Sequence, residues 1–286
     1  MSKLKKAMAK AQAERGMDPG AFPLPESAPA PAEITPDPAE KASAVKQDTC
    51  GENFSVAYSR TRVQTVDPAV LKRNKIISLF HDERTTDHLK TLRTQVLNSL
   101  EQAGGNSLLI ASAHPGEGKT FMSINLGISI AQEMDHTVMI VDADLRNPAK
   151  GHFNFSNDFF GIEPERGLSD YLLGQAEIPD LLINPGIDKL TILPAGRPIA
   201  NSAEHLGSPR MEALVKEMRE RYCENRIVIF DSPALLMSAD PMVFSRAMDG
   251  VLLVVEAEKT TPTDLNRCME LLSGCNIVGT VLNKAP

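Results

Sequence analysis

Residues 107–131, SLLIASAHPGEGKTFMSINLGISIA, decide how the rest of the chain is read. Leu108-Leu109-Ile110 is an apolar run short enough for a buried strand. The chain then turns through Pro115, Gly116 and Gly118. After Lys119-Thr120 the pattern becomes helical, with Phe121, Ile124, Leu126, Ile128 and Ile130 as its apolar positions. Strand, glycine loop, Lys-Thr and helix in that order form a phosphate-binding loop in its expected setting. Glycines let backbone N–H groups close around phosphate oxygens, and the helix start adds a favourable dipole. In such a loop Lys119 reaches the β- and γ-phosphates and the Thr120 hydroxyl ligates Mg²⁺. Against the pattern G-x-x-x-x-G-K-[ST], Ala113 stands at the first glycine.

Two strand ends downstream carry acids. Thr137 to Asp142, TVMIVD, reads as a buried strand and continues into Ala143-Asp144-Leu145-Arg146-Asn147-Pro148. Carboxylates at i and i+2 past a strand's carboxyl end lie where doubly wound sheets place ligands. Beside a nucleotide triphosphate, Asp142 and Asp144 can hold Mg²⁺ or take a proton from an attacking hydroxyl. Arg146 can pair with a phosphate or a carboxylate. Alone, this run would read as a polar turn with a structural ion pair. Arg226 to Pro233, RIVIFDSP, runs four apolar residues into Asp231, a Walker B aspartate in form.

The chain has 286 residues, 42% of them hydrophobic, enough for one sizeable α/β domain with extensions. A formal net charge of −7 gives no reason to expect nucleic acid. Cys50, Cys223, Cys268 and Cys275 make no CxxC pair and no zinc spacing, which favours a reducing, cytoplasmic setting. No apolar run reaches membrane-spanning length, and no signal peptide is visible.

Residues 1–16 read as a short basic amphipathic helix, with Lys3, Lys5, Lys6, Lys10 and Arg15 outweighing Glu14. It either docks on a partner or anionic membrane, or is a frayed, solvated terminus. Residues 17–57 are Pro/Ala-rich, with seven of the twenty prolines, and read as a disordered linker. Residues 58–82 read as an extended arm, and 83–286 as the catalytic domain. A helix is expected from Thr85 to about Gln102, ended by Gly104-Gly105. Strands are then expected near 107–112, 137–142, 190–194, 226–231, 250–256 and 277–282. Helices are expected near 119–134, 168–173, 209–222, 240–247 and 263–273. This alternation predicts an α/β fold with a mostly parallel, doubly wound sheet and helices on both faces.

Taken together, SAHPGEGKT, DADLRNP and FDSP resemble the bacterial tyrosine kinases of capsular and exopolysaccharide synthesis, within the MinD/ParA-like P-loop ATPases. Supporting stretches are Gly167-Leu168-Ser169-Asp170-Tyr171-Leu172, Leu193-Pro194-Ala195-Gly196 and the terminal Gly279-Thr280-Val281-Leu282-Asn283-Lys284. The resemblance spans roughly residues 83–286. It implies an ATP-dependent protein-tyrosine kinase with ATP and Mg²⁺ as cofactors. ATP contacts would come from Pro115, Gly116, Glu117, Gly118, Lys119, Thr120, Phe121, Arg146 and Asn283, the last where the family recognises adenine. Lys119, Asp142 and Asp144 would be catalytic, with Asp142 activating the tyrosine hydroxyl. Thr120, Asp142, Asp144 and Asp231 would serve the metal. The implied partner is a membrane-anchored chain-length regulator that activates a cytoplasmic homo-oligomer at the inner face of the membrane.

The chain departs from the family pattern in places. It shows no tyrosine cluster at the C-terminus and has only Tyr58, Tyr171 and Tyr222. Tyr171 and Tyr222 read as packing residues, and Tyr58 either as the one plausible self-acceptor or, equally well, as an arm residue tucked against the domain. The family's assembly motif, Glu-x-x-Arg-x-x-Arg, appears here as Asp87-x-x-Lys90-x-x-Arg93; its spacing equally fits a solvated helix face. His114 stands where partitioning ATPases carry a second lysine, which argues against their mechanism. The competing reading is an ATPase switch of the same fold without tyrosine phosphorylation.

Overall fold

The computed structural model describes residues 61–80, 83–146, 155–221 and 225–285. Expectations for residues 1–60, for Asn147-Pro148 and for Tyr222 therefore lie outside the described residues. Elements run β1 (Arg62–Val63), α1 (Pro68–Arg73), a 3-10 turn (Ile77–Leu79), α2 (Glu83–Ala103), β2 (Ser107–Ser112), α3 (Lys119–Ala131) and β3 (Thr137–Asp142). After a π-helical turn at Phe155–Phe159 come α4 (Leu168–Leu172), α5 (Ile178–Leu181), β4 (Ile183–Asn184), β5 (Leu190–Leu193), α6 (Ser202–Leu206) and α7 (Pro209–Arg221). The chain ends with β6 (Arg226–Asp231), α8 (Asp240–Ser245), β7 (Gly250–Glu256), α9 (Pro262–Leu271) and β8 (Ile277–Asn283).

The strands form one eight-stranded sheet in the order β1-β4-β5-β3-β6-β2-β7-β8. Every pairing is parallel except β4 with β5. Successive side chains of a strand point to opposite faces, so each buried strand feeds two cores. Leu108, Ile110, Val138, Ile140, Ile227 and Ile229 pack under α2 and α3. Leu109, Met139, Val141, Val228 and Phe230 pack on the other face with residues of α7, α8 and α9.

Among its described residues the arm forms a strand only at Arg62–Val63, which adds an edge beside β4. Pro68–Arg73 is helical instead. Asp67 caps it by accepting the Ala69 N–H at 2.8 Å, and Pro68 supplies a preset φ at the first helical position. The helix α2 stops before Gly104, as its glycines imply. Gly105 is required for a different reason: a Cβ there would lie 2.1 Å from Asp249 Cγ. The Asp249 carboxylate occupies that space to accept the N–H groups of Asn106 and Ser107, tying the start of β2 to that of β7. Among the described residues no helix is long and apolar enough to cross a membrane.

Candidate active site

The carboxyl ends of β2, β3, β6 and β8 share one edge of the sheet, because these strands run parallel. That edge therefore collects Ala113–Gly118, Asp142, Asp231 and Asn283, whatever their separation in sequence.

The loop after β2 is held from below and from the side. Glu117 is fully buried. Its Oε2 accepts the His114 N–H at 2.9 Å, and the Thr260 hydroxyl donates to Oε1. His114 Nε2 lies 3.4 Å from Asp264 Oδ2. Asp264 also closes a capping box with Thr261 at the start of α9, and those Thr261 hydrogen bonds do most to hold its carboxyl below the usual range. Gly118 has φ 103°, and a Cβ on it would sit 2.1 Å from Asn283 Nδ2. Only glycine fits that junction on both counts.

Lys119 begins α3 and is buried. Its ammonium donates to Ser112 Oγ at 2.8 Å and to the His114 carbonyl at 3.4 Å. Burial lowers its pKa, opposed by the carboxylates of Asp231, Glu117 and Asp144. One residue on, the Thr120 hydroxyl donates to Asp231 Oδ2 at 2.6 Å, and Ser123 donates to Oδ1 at 3.1 Å. Asp231 is pushed up to about 6 by burial, against the opposing Thr120 bond and Lys119 charge. Asp142, its register partner on β3, is raised well above the usual range, first by burial and then by Asp231. The Asp144 N–H donates to Asp142 Oδ1 at 3.1 Å, and Asp144 itself is half-buried.

Lys119, Thr120, Asp142, Asp144 and Asp231 thus meet at one place. Pro115 and Gly116 form the exposed crest of the loop. Asn283 touches the loop directly, its amide donating to the Glu117 carbonyl at 2.9 Å. Two of the expected contact residues have side-chain neighbours outside this cluster. The Phe121 ring packs partly buried against the core beneath α3. Arg146 is exposed and turned to the 237–240 segment: it donates to the Met237 carbonyl at 3.1 Å and lies 3.7 Å from the buried Asp240 carboxylate. A buried acid on another element captures it, and strand-end spacing does not reveal that.

Ser112, Ser123, Thr260 and Lys284 join the site without having been singled out. Ser123 lies one helical turn beyond Lys119, so its spacing was a usable signal. Thr260 and Ser112 had none. The remaining histidines and cysteines form no metal cluster among the described residues. Cys268 is a buried free thiol pushed up to about 11 by burial, in keeping with a packing role. Tyr171 is buried under the Arg210 guanidinium, 4.5 Å from its ring centroid, also as a packing residue.

The oxygen donors suit magnesium, which binds through one or two carboxylates and keeps waters and phosphate oxygens. Two buried acids whose pKa values are both raised, chiefly by burial, also mark negative charge that a divalent cation would relieve.

No family model matches the chain. It is 31% identical over 203 residues to the tyrosine-protein kinase etk of Escherichia coli K12, covering 70% of this chain and 27% of that protein. The chain thus spans about a quarter of the length of that curated relative. The solved kinase domain of E. coli ETK superposes with a TM-score of 0.66 at 27% identity, over 81% of this chain and 92% of that one. The septum site-determining protein MinD of Pyrococcus horikoshii, solved with Mg-ADP, superposes with a TM-score of 0.50 at 25% identity, over 62% and 69%.

Proposed function

The chain belongs to the bacterial tyrosine kinases within the MinD/ParA-like P-loop ATPases, and from that premise we propose that it is an ATP-dependent protein-tyrosine kinase of the autokinase type. The observation that carries the reading is the 2.6 Å bond from the P-loop Thr120 to Asp231, with Asp142 as the register partner of Asp231. Binding residues alone would need no second buried acid at the strand ends.

Thr120 and Asp231 would hold Mg²⁺, with Asp142 and Asp144 beside it, and Lys119 would hold the phosphates. When bound, the metal would supply charge neutralisation for the transferring phosphoryl group. Lys119 leaves Ser112 and the His114 carbonyl and turns its ammonium to the nucleotide. A buried carboxylate with a raised pKa is suited to accept a proton, so Asp142 takes the tyrosine hydroxyl proton as the phosphoryl group transfers. The rest is positioning in a site walled by the sheet edge. The wider role follows the relatives: control of capsule or exopolysaccharide chain synthesis, in the cytoplasm and at the membrane's inner face, with an activating membrane chain-length regulator and self-association. Residues 17–57 would be the tether and residues 83–286 the kinase domain.

The test is incubation of the purified chain with Mg-ATP and a tyrosine substrate, with and without the regulator's cytoplasmic tail. Phosphotyrosine that disappears in Lys119→Met supports the kinase. Phosphate release with no phosphotyrosine under either condition replaces it with the ATPase switch.

A further inference from the structure

Lys284 follows the last strand, has φ 56° and is half exposed at 49%. Its ammonium nevertheless has two fixed partners. It donates to the Gly116 carbonyl at 2.7 Å and pairs with Glu256 Oε1 at 3.2 Å. Its neighbour Asn283 donates to the next carbonyl along, that of Glu117, at 2.9 Å. Two consecutive carbonyls of the phosphate loop are therefore held by two consecutive side chains, one at the end of β8 and one just after it.

A trans peptide is planar, and its C=O and N–H point in opposite directions. Fixing the Gly116 carbonyl toward Lys284 aims the Glu117 N–H the other way. Fixing the Glu117 carbonyl toward Asn283 does the same for the Gly118 N–H. Gly116, at φ 81°, and Gly118, at φ 103°, are the residues about which these peptide units would most easily turn over. The third restraint comes from below: Glu117 Oε2 takes the His114 N–H, and Oε1 takes the Thr260 hydroxyl. Thr260 Oγ1 in turn accepts the Glu256 N–H at 3.0 Å, so Glu256 joins both halves of the clamp.

We infer that Lys284, with Asn283 and the buried Glu117, is a positioning residue that presets the phosphate loop by pinning the 116–117 and 117–118 peptides with their N–H groups facing the anion. Lys284 acts on the phosphates through the backbone, and recognition of the base does not require it. A preset nest of amides binds anions without first spending energy on reordering the loop. The inference rests on the nucleotide-binding reading above.

That assignment separates ligands by chemistry. Pinning the loop affects any polyphosphate, with or without a base. The experiment is calorimetric titration of the full chain with Mg-ADP and with magnesium tripolyphosphate, which has no base. Lys284→Met is expected to weaken both about tenfold. Lys284→Arg, which keeps a donor, is expected to recover most of the loss for both. Melting of the ligand-free Lys284→Met chain should stay close to wild type, because the side chain is half exposed. Loss confined to ADP, with tripolyphosphate unchanged, overturns the inference in favour of a base contact. Unchanged affinity for both ligands also overturns it and leaves the nucleotide reading intact. A wild-type chain that binds neither ligand sinks that reading and the inference together.

Discussion

Asp142 and Asp231 are register partners across β3 and β6, each the last residue of its strand and each buried. Neighbouring parallel strands lie about 4.8 Å apart, which forces the two carboxylates into one small volume. Burial raises both, and a like charge adds to each: Asp231 for Asp142, and Asp144 for Asp231.

This arrangement predicts a trade between stability and function at Asp231. Its folded pKa of about 6 stands above the ordinary 3.8. The folded state therefore binds more protons than the unfolded one between those values, and its contribution to stability falls as pH rises through about 6. Asp231→Asn removes the buried charge while keeping an acceptor for Thr120 and Ser123. Without metal or nucleotide, the variant should be more stable than wild type by ~1–3 kcal/mol at pH 8, with a smaller difference at pH 5. Thermal melts in chelator at the two pH values check this; a variant that melts below wild type at pH 8 removes the argument. The same variant should lose Mg-ADP binding.

Asp142 should behave differently. In the proposed role of proton acceptor it would contribute to turnover more than to nucleotide affinity. Asp142→Asn is expected to lower kcat for phosphotransfer by at least about a hundredfold, with the Kd for Mg-ADP within about threefold of wild type. A parallel loss of Mg-ADP affinity would assign Asp142 to the metal instead.

Gly118→Ala tests the loop junction. The backbone there has φ 103°, and the added methyl meets Asn283 Nδ2 at 2.1 Å. Mg-ADP affinity should fall at least about tenfold, and stability by ~1–3 kcal/mol. Undiminished binding would mean that the loop tolerates a wider Asn283 spacing than its geometry suggests.

Arg93 makes contacts within one chain that bear on its expected assembly role. The assembly reading needs it presented outward from α2. It instead donates to the Ser129 carbonyl at 2.9 Å and pairs with Glu133, joining α2 to the end of α3 within one chain. Asp87 and Lys90 pair with each other on the exposed face. Arg93→Ala should therefore lower stability by ~1–3 kcal/mol, and Arg93→Lys should restore only part of it because lysine lacks the fork. Melting curves beside light-scattering mass decide the matter: a smaller particle at unchanged melting temperature would return Arg93 to the subunit interface.

The core strands from β2 onward were legible because a short apolar run bounded by turn residues specifies a buried strand locally. The two-residue strands β1 and β4 were not, since so short a pairing exists only where a neighbour supplies the hydrogen bonds. Lys119, Thr120 and Asp231 could be picked out because the loop and strand-end patterns dictate their placement. The contacts of Arg146 with Met237 and Asp240 were not legible, because Asp240 lies on a distant helix and is buried by folding. Glu117 could be named as part of the loop, but its role as a buried brace depends on Thr260, which no local pattern joins to it.

By itself the amino-acid order determined the alternation of strands and helices, the phosphate loop and the acids that follow two strands. Those features depend on neighbours a few residues apart, through periodicity, turn geometry and capping. Only the folded chain decided that β6 lies between β2 and β3, that Asp142 and Asp231 are register partners, and that the end of β8 and Lys284 reach back to grip the loop. Pairings between strands distant in sequence are selected by how helices cover both faces of the sheet, and no short window of residues contains that choice.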